Sequence, residues 1–580
     1  MAQLNILNSV INCNTSVLNI DEACLVVNSA AENNIQLWAQ SEECVSCDYQ
    51  PWYTVGALEN ASFTVKTTFP LLLRYSFNAS KWCLRNVTFK EYGVYGWNIS
   101  DDACSDLYII KKPDSQFLPL IVAVCLLLLL SIISYASATV VESGWFTNLW
   151  RRNLSFTELE NDLGSPNPGD APPIIRNEVL QIIRRQNRVA SVDIFRGLCL
   201  ALMIFVNYGG GHYWFFKHSV WNGLTVADLV FPWFMWIMGL SLAISLRTQL
   251  RSSKPRLHVL GHVLRRSLFL IALGVILNSC GNHGTKPDVK TLRLPGVLQR
   301  LGVCYMVIGT IESLLMSREG AFRYGRYIVL SDIIESWCQW LVVIALATGH
   351  VAISLALPVP GCPRGYLGPG GWHMHGQYAN CTGGAAGYID RLILTPQHMY
   401  KNPTCKSIYH NDQVYDPEGI LGTLTSILMV YLGVHAGRIL QCYNYTFMRI
   451  SRWLSWGVVT GILAGILCHF SKEDGIIPVN KNLWSLSYVL ATASMAFLLL
   501  SILYFVADCH RWWSGAPFIY AGMNSLVLYV GHELTRHMFP WSWKPLYNNH
   551  SELLAMNIWG TALWLIIAYF MYRKDCFVTV

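Results

Sequence analysis

Charge is scarce in this chain. Only 13% of its 580 residues are Asp, Glu, Lys or Arg, and 53% are hydrophobic. Mean hydropathy is +0.33, which excludes a soluble protein with a single core. Heptads, low-complexity tracts and repeats of about 20–50 residues are also missing, which excludes coiled coils and solenoids. No HExxH and no pair of CxxC motifs occurs, so no metal is expected. Residues 1–10 have neither a basic stretch nor a continuous apolar core, and do not read as a signal peptide. Either such a segment was removed from this numbering or the first span exports the N-terminus. The net charge of +7 sits mainly in short loops, which argues for membrane topology and not for nucleic acid.

Long apolar runs are what the chain has instead. Runs of about 20 residues, the length that crosses a bilayer as a helix, recur along most of it. The first is 117–141, followed by 195–211, 224–246, 264–279, 296–316, 337–357, 419–436, 453–470, 484–507, 517–532 and 554–572. The expected fold is a polytopic α-helical membrane protein of about eleven transmembrane helices, with its 22 Trp as interfacial anchors. Arg247, Arg251, Lys254, Arg256, Arg265 and Arg266 then share the inner face with Arg318, Arg323, Arg326, Arg438, Arg449 and Arg452.

Residues 1–114 differ. They hold six cysteines (Cys13, Cys24, Cys44, Cys47, Cys83 and Cys104) and sequons at Asn14, Asn60, Asn78, Asn86 and Asn98. Short β-type runs such as 61–66 and 71–77 lie between turn residues. This pattern reads as a lumenal, glycosylated, disulfide-stapled β-domain. Cys44-Val-Ser-Cys47 reads as part of that framework and not as a zinc half-site. Residues 115–145 form the first transmembrane helix, 146–190 a basic cytosolic linker rich in Pro and Gly, and 191–580 the remaining membrane domain. An odd span count with the N-terminus outside leaves the C-terminus inside, beside Arg573 and Lys574. The outer loop 358–418 is expected to be ordered, with Cys362 joined to Cys381 and Cys405 bridging elsewhere. Cys280 offers a link between two chains in a homodimer. Sequons at Asn380 and Asn549 fall outside. Those at Asn153 and Asn444 fall inside and are expected to be unused.

Chemistry concentrates around one histidine. Asn207-Tyr-Gly-Gly-Gly precedes His218, and Asp228 follows inside the next span. An acid at membrane depth costs about 2.5–3.5 kcal/mol, so it tends to be kept for a task. Histidine can exchange protons or accept an acyl group near neutral pH. The bland alternatives are an interfacial loop histidine and a helix-capping aspartate. A second polar set is Arg293, Gln299 and Arg300. There a buried guanidinium needs an anion, either Asp228 or a ligand's phosphate or thioester carbonyl. A third is Asn524, Ser525, His532 and Glu533 in the penultimate span, which would otherwise serve interhelical hydrogen bonds.

These residues lie within strings that resemble the heparan-α-glucosaminide N-acetyltransferase family. They are Asp193-Ile-Phe-Arg196-Gly, Asn207-Tyr-Gly-Gly-Gly, Trp221-Asn-Gly-Leu-Thr-Val-Ala-Asp-Leu-Val-Phe-Pro232, Leu294-Pro-Gly-Val-Leu-Gln-Arg-Leu-Gly302, Asn380-Cys-Thr-Gly-Gly-Ala-Ala-Gly-Tyr-Ile-Asp-Arg391, Asp416-Pro-Glu-Gly-Ile-Leu-Gly422 and Pro478-Val-Asn-Lys-Asn-Leu-Trp-Ser-Leu-Ser-Tyr488. The likeness spans the membrane region and weakens before the first span. It implies a lysosomal enzyme that takes acetyl from cytosolic acetyl-CoA and gives it to the terminal glucosamine amine of heparan sulfate. The resemblance places the active-site histidine on His218 and lines the same site with Asn207 and Asp228.

The residues suit that role. His218 could be acetylated and then aminolysed, or act as general base for direct transfer. Asn207, Asn524 or Ser525 could donate to the carbonyl oxygen. Arg188 and Arg247 would meet the coenzyme's phosphates, and Asp416, Glu418, Glu473 and Glu533 would attract the cationic sugar. Rival readings are a transporter, which would want two related halves that the sequence does not have, and an acyltransferase for another lumenal acceptor.

Overall fold

The computed structural model describes residues 18–77, 81–100, 104–142, 189–251, 255–280, 288–316 and 331–578. Arg188, nearly all of the linker, Cys13, Asn14, Asn78 and Asn153 lie outside these residues, as does the side chain of Cys280.

Alternating apolar residues near the N-terminus form eight strands in two sheets. One sheet runs β4 (Asn60–Lys66), β1 (Glu22–Ser29), β7 (Val94–Ile99), β8 (Tyr108–Lys111). The other runs β3 (Gln50–Val55), β2 (Ile35–Ser41), β5 (Leu71–Phe77), β6 (Lys81–Val87). Every pair is antiparallel except β1 with β7, where Cys24 lies opposite Val94. The period-two pattern sends Leu25 and Val27 from one sheet and Leu37, Leu73 and Tyr75 from the other into a shared core with Trp97. Cys83–Cys104 ties the two sheets together. Cys44 bridges to Cys47, and Cys362 to Cys381.

Cys405 departs from expectation. It is a buried free thiol in the apolar cluster that holds Cys44 and Cys47. Those two sulfurs are already bonded to each other, and burial pushes the Cys405 thiol up to about 11.

The chain then forms two compact units. The segment 115–190 carries α1 (Leu118–Glu142), whose apolar window has no buried residue, as befits a helix surrounded by lipid. The other unit joins the β-strands to α2 (Ala190–Asn207), α3 (Val226–Arg251), α4 (Arg256–Cys280), α5 (Val297–Leu315), α6 (Trp337–Ala356), α7 (Gly384–Leu394), α8 (Ile420–Cys442), α9 (Thr446–Leu467), α10 (Leu486–Leu503), α11 (Phe518–Met523), α12 (Ser525–Thr535) and α13 (His550–Arg573). Among the described residues, ten helices are long and apolar enough to cross a membrane. The eleventh expected span, 517–532, is broken at Asn524, which leaves helical geometry between α11 and α12.

Three spans begin earlier than hydropathy suggested. Asp193 and Arg196 pair within the first turns of α2 at 3.0 Å, and Arg256, Arg265 and Arg266 lie inside α4. Arg449 and Arg452 likewise lie inside α9. A charge near a helix end can reach polar surroundings along its own stem, so it need not end the helix. Arg438 corrects the sequence reading more sharply. It is no loop residue but is buried in α8, paired with Glu312 of α5 and bonded to Gln339 of α6.

Helix α8 is the hub, with 83% of its apolar window buried. A Cβ on Gly433 would come 1.9 Å from the Trp236 carbonyl oxygen of α3, and one on Gly239 would meet the Val430 carbonyl oxygen of α8 at 1.9 Å. Glycine lets the two backbones touch, as small residues do at membrane helix crossings. Successive crossings put 208–225, 357–419, 468–485 and 536–549 on one side. The β-domain grips that side: Glu43 pairs with Lys472 at 2.7 Å, Asp48 with His375 at 2.7 Å and Glu91 with His550 at 2.9 Å.

Candidate active site

The chain after Asn207 must reverse sharply. Gly209, Gly210 and Gly211 all have positive φ (122°, 57° and 65°), a backbone that side chains disfavour. The Gly211 N–H donates to Asn557 Oδ1 at 2.8 Å, which fixes the turn against α13. The following segment is clamped from two sides. Trp221 Nε1 donates to the Leu367 carbonyl at 2.9 Å, and the Gly223 N–H to that of Val479 at 2.8 Å.

This clamp sets His218 over the start of α3. His218 Nδ1 lies 2.8 Å from Asp228 Oδ1. Asp228 is fully buried, while the His218 side chain is 41% exposed. The other oxygen, Oδ2, accepts from the Ser219 N–H at 3.1 Å, the Thr225 N–H at 3.2 Å and Thr225 Oγ1 at 2.9 Å. Asp228 therefore caps the helix start through Oδ2, which gathers three donors, and meets the imidazole through Oδ1. Tyr488 OH donates to the Asp228 carbonyl at 2.6 Å and pins the helix start from α10.

Sequence reasoning missed Lys481 as a site residue. Its Nζ lies 2.9 Å from His218 Nδ1, 3.1 Å from Nε2 and 3.5 Å from Asp228 Oδ1. The available signal was a lone cation in the Pro478–Tyr488 string, in a loop on the same side as His218. Asn480 builds the turn that presents it: its Oδ1 accepts from the Leu483 N–H at 2.9 Å, and its Nδ2 donates to Asn222 Oδ1 at 2.9 Å. Asn222 also donates to Glu473 Oε2 at 2.6 Å.

The second polar set is an ionic knot. Arg293 donates to both oxygens of Asp416, at 2.8 and 2.7 Å, and to Glu418. Arg300 is buried. It donates to the Gly419 carbonyl at 2.7 Å and lies over the Trp484 ring, so its anionic partner is not Asp228. Its Nε and Nη1, and Gln299 Nε2, have no hydrogen-bond partner among the described residues. Burial opposes the Glu418 charge, but Arg293, Arg300 and Lys481 outweigh it and hold the carboxyl below its usual range. Glu418 thus also feels the charge of Lys481, the residue beside His218.

The remaining expected residues are dispersed. Asn207 Nδ2 lies 3.0 Å from His532 Nε2 and donates to Glu533 Oε1 at 3.1 Å, so its bonds go to α12 and not to His218. Tyr529 of α12 packs on His532, with ring centroids 5.6 Å apart. Asn524 holds the C-terminal segment, donating to the Cys576 carbonyl at 3.1 Å and accepting from the Val578 N–H at 3.2 Å. Ser525 opens α12 beside it, about 10 Å of helix from His532. Arg247 donates to Gln441 at 3.1 Å. It lies 19 residues along α3 from Asp228, about 28 Å of helix and close to the thickness of a bilayer core.

A half-exposed imidazole set on a buried carboxylate, at the mouth of a bundle of spanning helices, marks a polytopic membrane enzyme. A family model for the catalytic region of heparan-alpha-glucosaminide N-acetyltransferase matches residues 188–346. The Homo sapiens heparan-alpha-glucosaminide N-acetyltransferase is 40% identical over 590 residues, covering 97% of this chain and 88% of its own length. The Mus musculus one is 39% identical over 585 residues, covering 97% and 89%. The chain belongs to the heparan-alpha-glucosaminide N-acetyltransferase family and is an acyltransferase, which sets the transporter reading aside.

Proposed function

We propose that this enzyme moves acetyl from cytosolic acetyl-CoA to the terminal glucosamine amine of heparan sulfate in the lysosomal lumen, through His218. The observation that carries this reading is the 2.8 Å contact between His218 Nδ1 and buried Asp228 at the mouth of the bundle. The β-domain and the dyad share one side, and the clustered arginines lie on the other. By the positive-inside rule the dyad side is lumenal and the C-terminus cytosolic. Domains 1–114, 115–145, 146–190 and 191–580 then alternate accordingly. Two copies, joined at Cys280, would form a homodimer.

In this reading acetyl-CoA is the co-substrate. It enters from the arginine face near Arg188 and Arg247, and its pantetheine arm spans the bundle. Nε2 attacks the thioester carbonyl, or takes the proton from an attacking amine. Asp228 stabilises the positive imidazole in either case. Glu473 and Glu533, at the lumenal mouth, give a cationic sugar somewhere to dock.

The test is purified protein with radiolabelled acetyl-CoA and a heparan disaccharide bearing a free terminal amine. His218→Ala should reach the membrane folded and lose at least ~10²-fold in rate; near-normal turnover would sink the assignment. Arg247→Ala should stop distinguishing acetyl-CoA from its 3′-dephospho form if that arginine meets the phosphate.

A further inference from the structure

Lys481 stands in an unusual place for a simple counter-charge. Its ammonium lies closer to both His218 ring nitrogens (2.9 and 3.1 Å) than to the Asp228 carboxylate (3.5 Å). Near-equal distances to Nδ1 and Nε2 cannot be met in the plane of the ring, because the carbon between the two nitrogens would be overlapped. The ammonium therefore lies over one face of the imidazole, and the in-plane lone pair of Nε2 stays open. The side chain is only 12% exposed. Its backbone is held by the Asn480 turn and by the Trp484 N–H, which donates to the Lys481 carbonyl at 3.1 Å.

A carbonyl carbon attacked by Nε2 must lie near the ring plane, and rotation about the forming bond can turn its oxygen to either face. On the Lys481 face that oxygen falls within hydrogen-bond reach of the ammonium. We propose that Lys481 is the electrophilic catalyst of acetyl transfer, donating to the acetyl carbonyl oxygen as negative charge develops there. The inference rests on His218 as the reacting base and adds the group that completes the site. The groups facing this imidazole are Asp228 from α3 and Lys481 from the loop before α10. Glu418 lies within electrostatic range of that lysine, and Glu473 bonds Asn222 nearby.

The step balances. Nε2 forms a bond to the carbonyl carbon, the C=O electron pair moves to the oxygen, and Lys481 holds the resulting anion. The carbon–sulfur bond then breaks and coenzyme A leaves as the thiolate with that pair. The acetyl-imidazolium keeps its Nδ1 hydrogen on Asp228. The sugar amine attacks the same carbon and the nitrogen–carbon bond to His218 breaks. The proton shed by the amine ends on the thiolate. In direct transfer the same ammonium faces the same oxygen, with the amine as nucleophile.

The test reads the carbonyl itself. The carba analogue of acetyl-CoA, with CH2 in place of sulfur and 13C in the carbonyl, cannot be turned over. Infrared difference spectra of it bound to wild-type enzyme should show a carbonyl band displaced to lower frequency than in water. Lys481→Met should abolish most of that displacement and lower kcat about 10²–10³-fold, with KM for acetyl-CoA changed less than about threefold. Lys481→Arg should restore part of both. If the methionine variant does not accumulate, Lys481→Gln replaces it with the same expectations. An unchanged band in either neutral variant overturns the proposal, whatever happens to kcat, and leaves Lys481 as the counter-charge of Asp228. Wild-type kcat in either also overturns it. The spectrum needs no turnover, so a failure of His218 as the reacting base, read from His218→Ala, is seen separately.

Discussion

His550 Nε2 lies 2.9 Å from Glu91 Oε1, a contact that joins the β-domain to α13 across 459 residues of chain. The ring's other nitrogen faces the Gly211 carbonyl at 2.7 Å, in the same glycine turn that launches the His218 loop. Asp21 completes the cluster, 2.9 Å from His212 Nδ1 and 3.4 Å from Lys217 Nζ. Among the described residues, Asp21, Glu91 and His550 are the one group whose ligand atoms lie close enough, within 4.8 Å, to hold a metal ion. The β-domain thus braces the loop that carries His218.

Removing that brace should loosen the site from a distance. Asp21→Asn with Glu91→Gln should lower stability by about 2–4 kcal/mol, because His550 keeps its burial and loses its partners. Burial works against the Asp21 charge, but His212, His550 and Lys217 outweigh it and hold the carboxyl below its ordinary 3.8. A depressed acid contributes fully above its unfolded value and loses that contribution only as pH falls through the folded one. Hydrogen-exchange protection factors in β1 and β7 of the wild type should accordingly be no lower at about pH 5 than at neutrality, and they should be lower in the double variant at both.

Asp390 predicts the opposite slope. Burial raises its carboxyl to about 6, although the Ile420 N–H donates to it at 2.8 Å at the start of α8. The folded state then binds a proton that the unfolded state has lost, so stability falls as pH rises from about 4 to about 6. Two units correspond to about 2–3 kcal/mol. Thermal unfolding in detergent should show a steeper decline toward neutral pH in wild type than in Asp390→Asn, which keeps the acceptor and cannot ionise. Parallel curves would refute this assignment.

Arg293→Leu should damage folding more than its surface position suggests. It strands two carboxylates, Asp416 and Glu418, which the guanidinium now neutralises. The expected cost is about 2–4 kcal/mol. Adding Glu418→Gln should recover part of it, read as a melting-temperature difference between the single and double variants.

Gly433→Val should prevent assembly of the bundle. Its side chain would drive into the Trp236 carbonyl of α3, and overpacking alone costs about 1–3 kcal/mol where neighbours can yield. Here the neighbour is backbone. Loss of the monodisperse peak in fluorescence-detected chromatography is the expected result, and Gly349→Ala, where a Cβ meets nothing within 4 Å, is the control.

Much was legible in the sequence because membranes impose simple rules. A bilayer demands long apolar helices, so run length gave the spans. Period-two alternation exposed β4 and β5, and cysteine spacing gave the Cys362–Cys381 bridge. His218 and Asp228 were legible as a pair because they are ten residues apart across one loop.

Tertiary structure decided the rest, for one physical reason: hydrogen bonds and charges act through space, and sequence distance hides them. Lys481 is 263 residues from His218, and only the fold brings the two side chains together. Asn207 turns to His532 and Glu533 because α12 packs beside α2, a choice made by helix crossing and not by either segment. Arg438 looked like a loop cation until Glu312 and Gln339 met it inside the bundle. Sequence determined which residues could do chemistry and that they would lie in a membrane; packing determined which of them face one another.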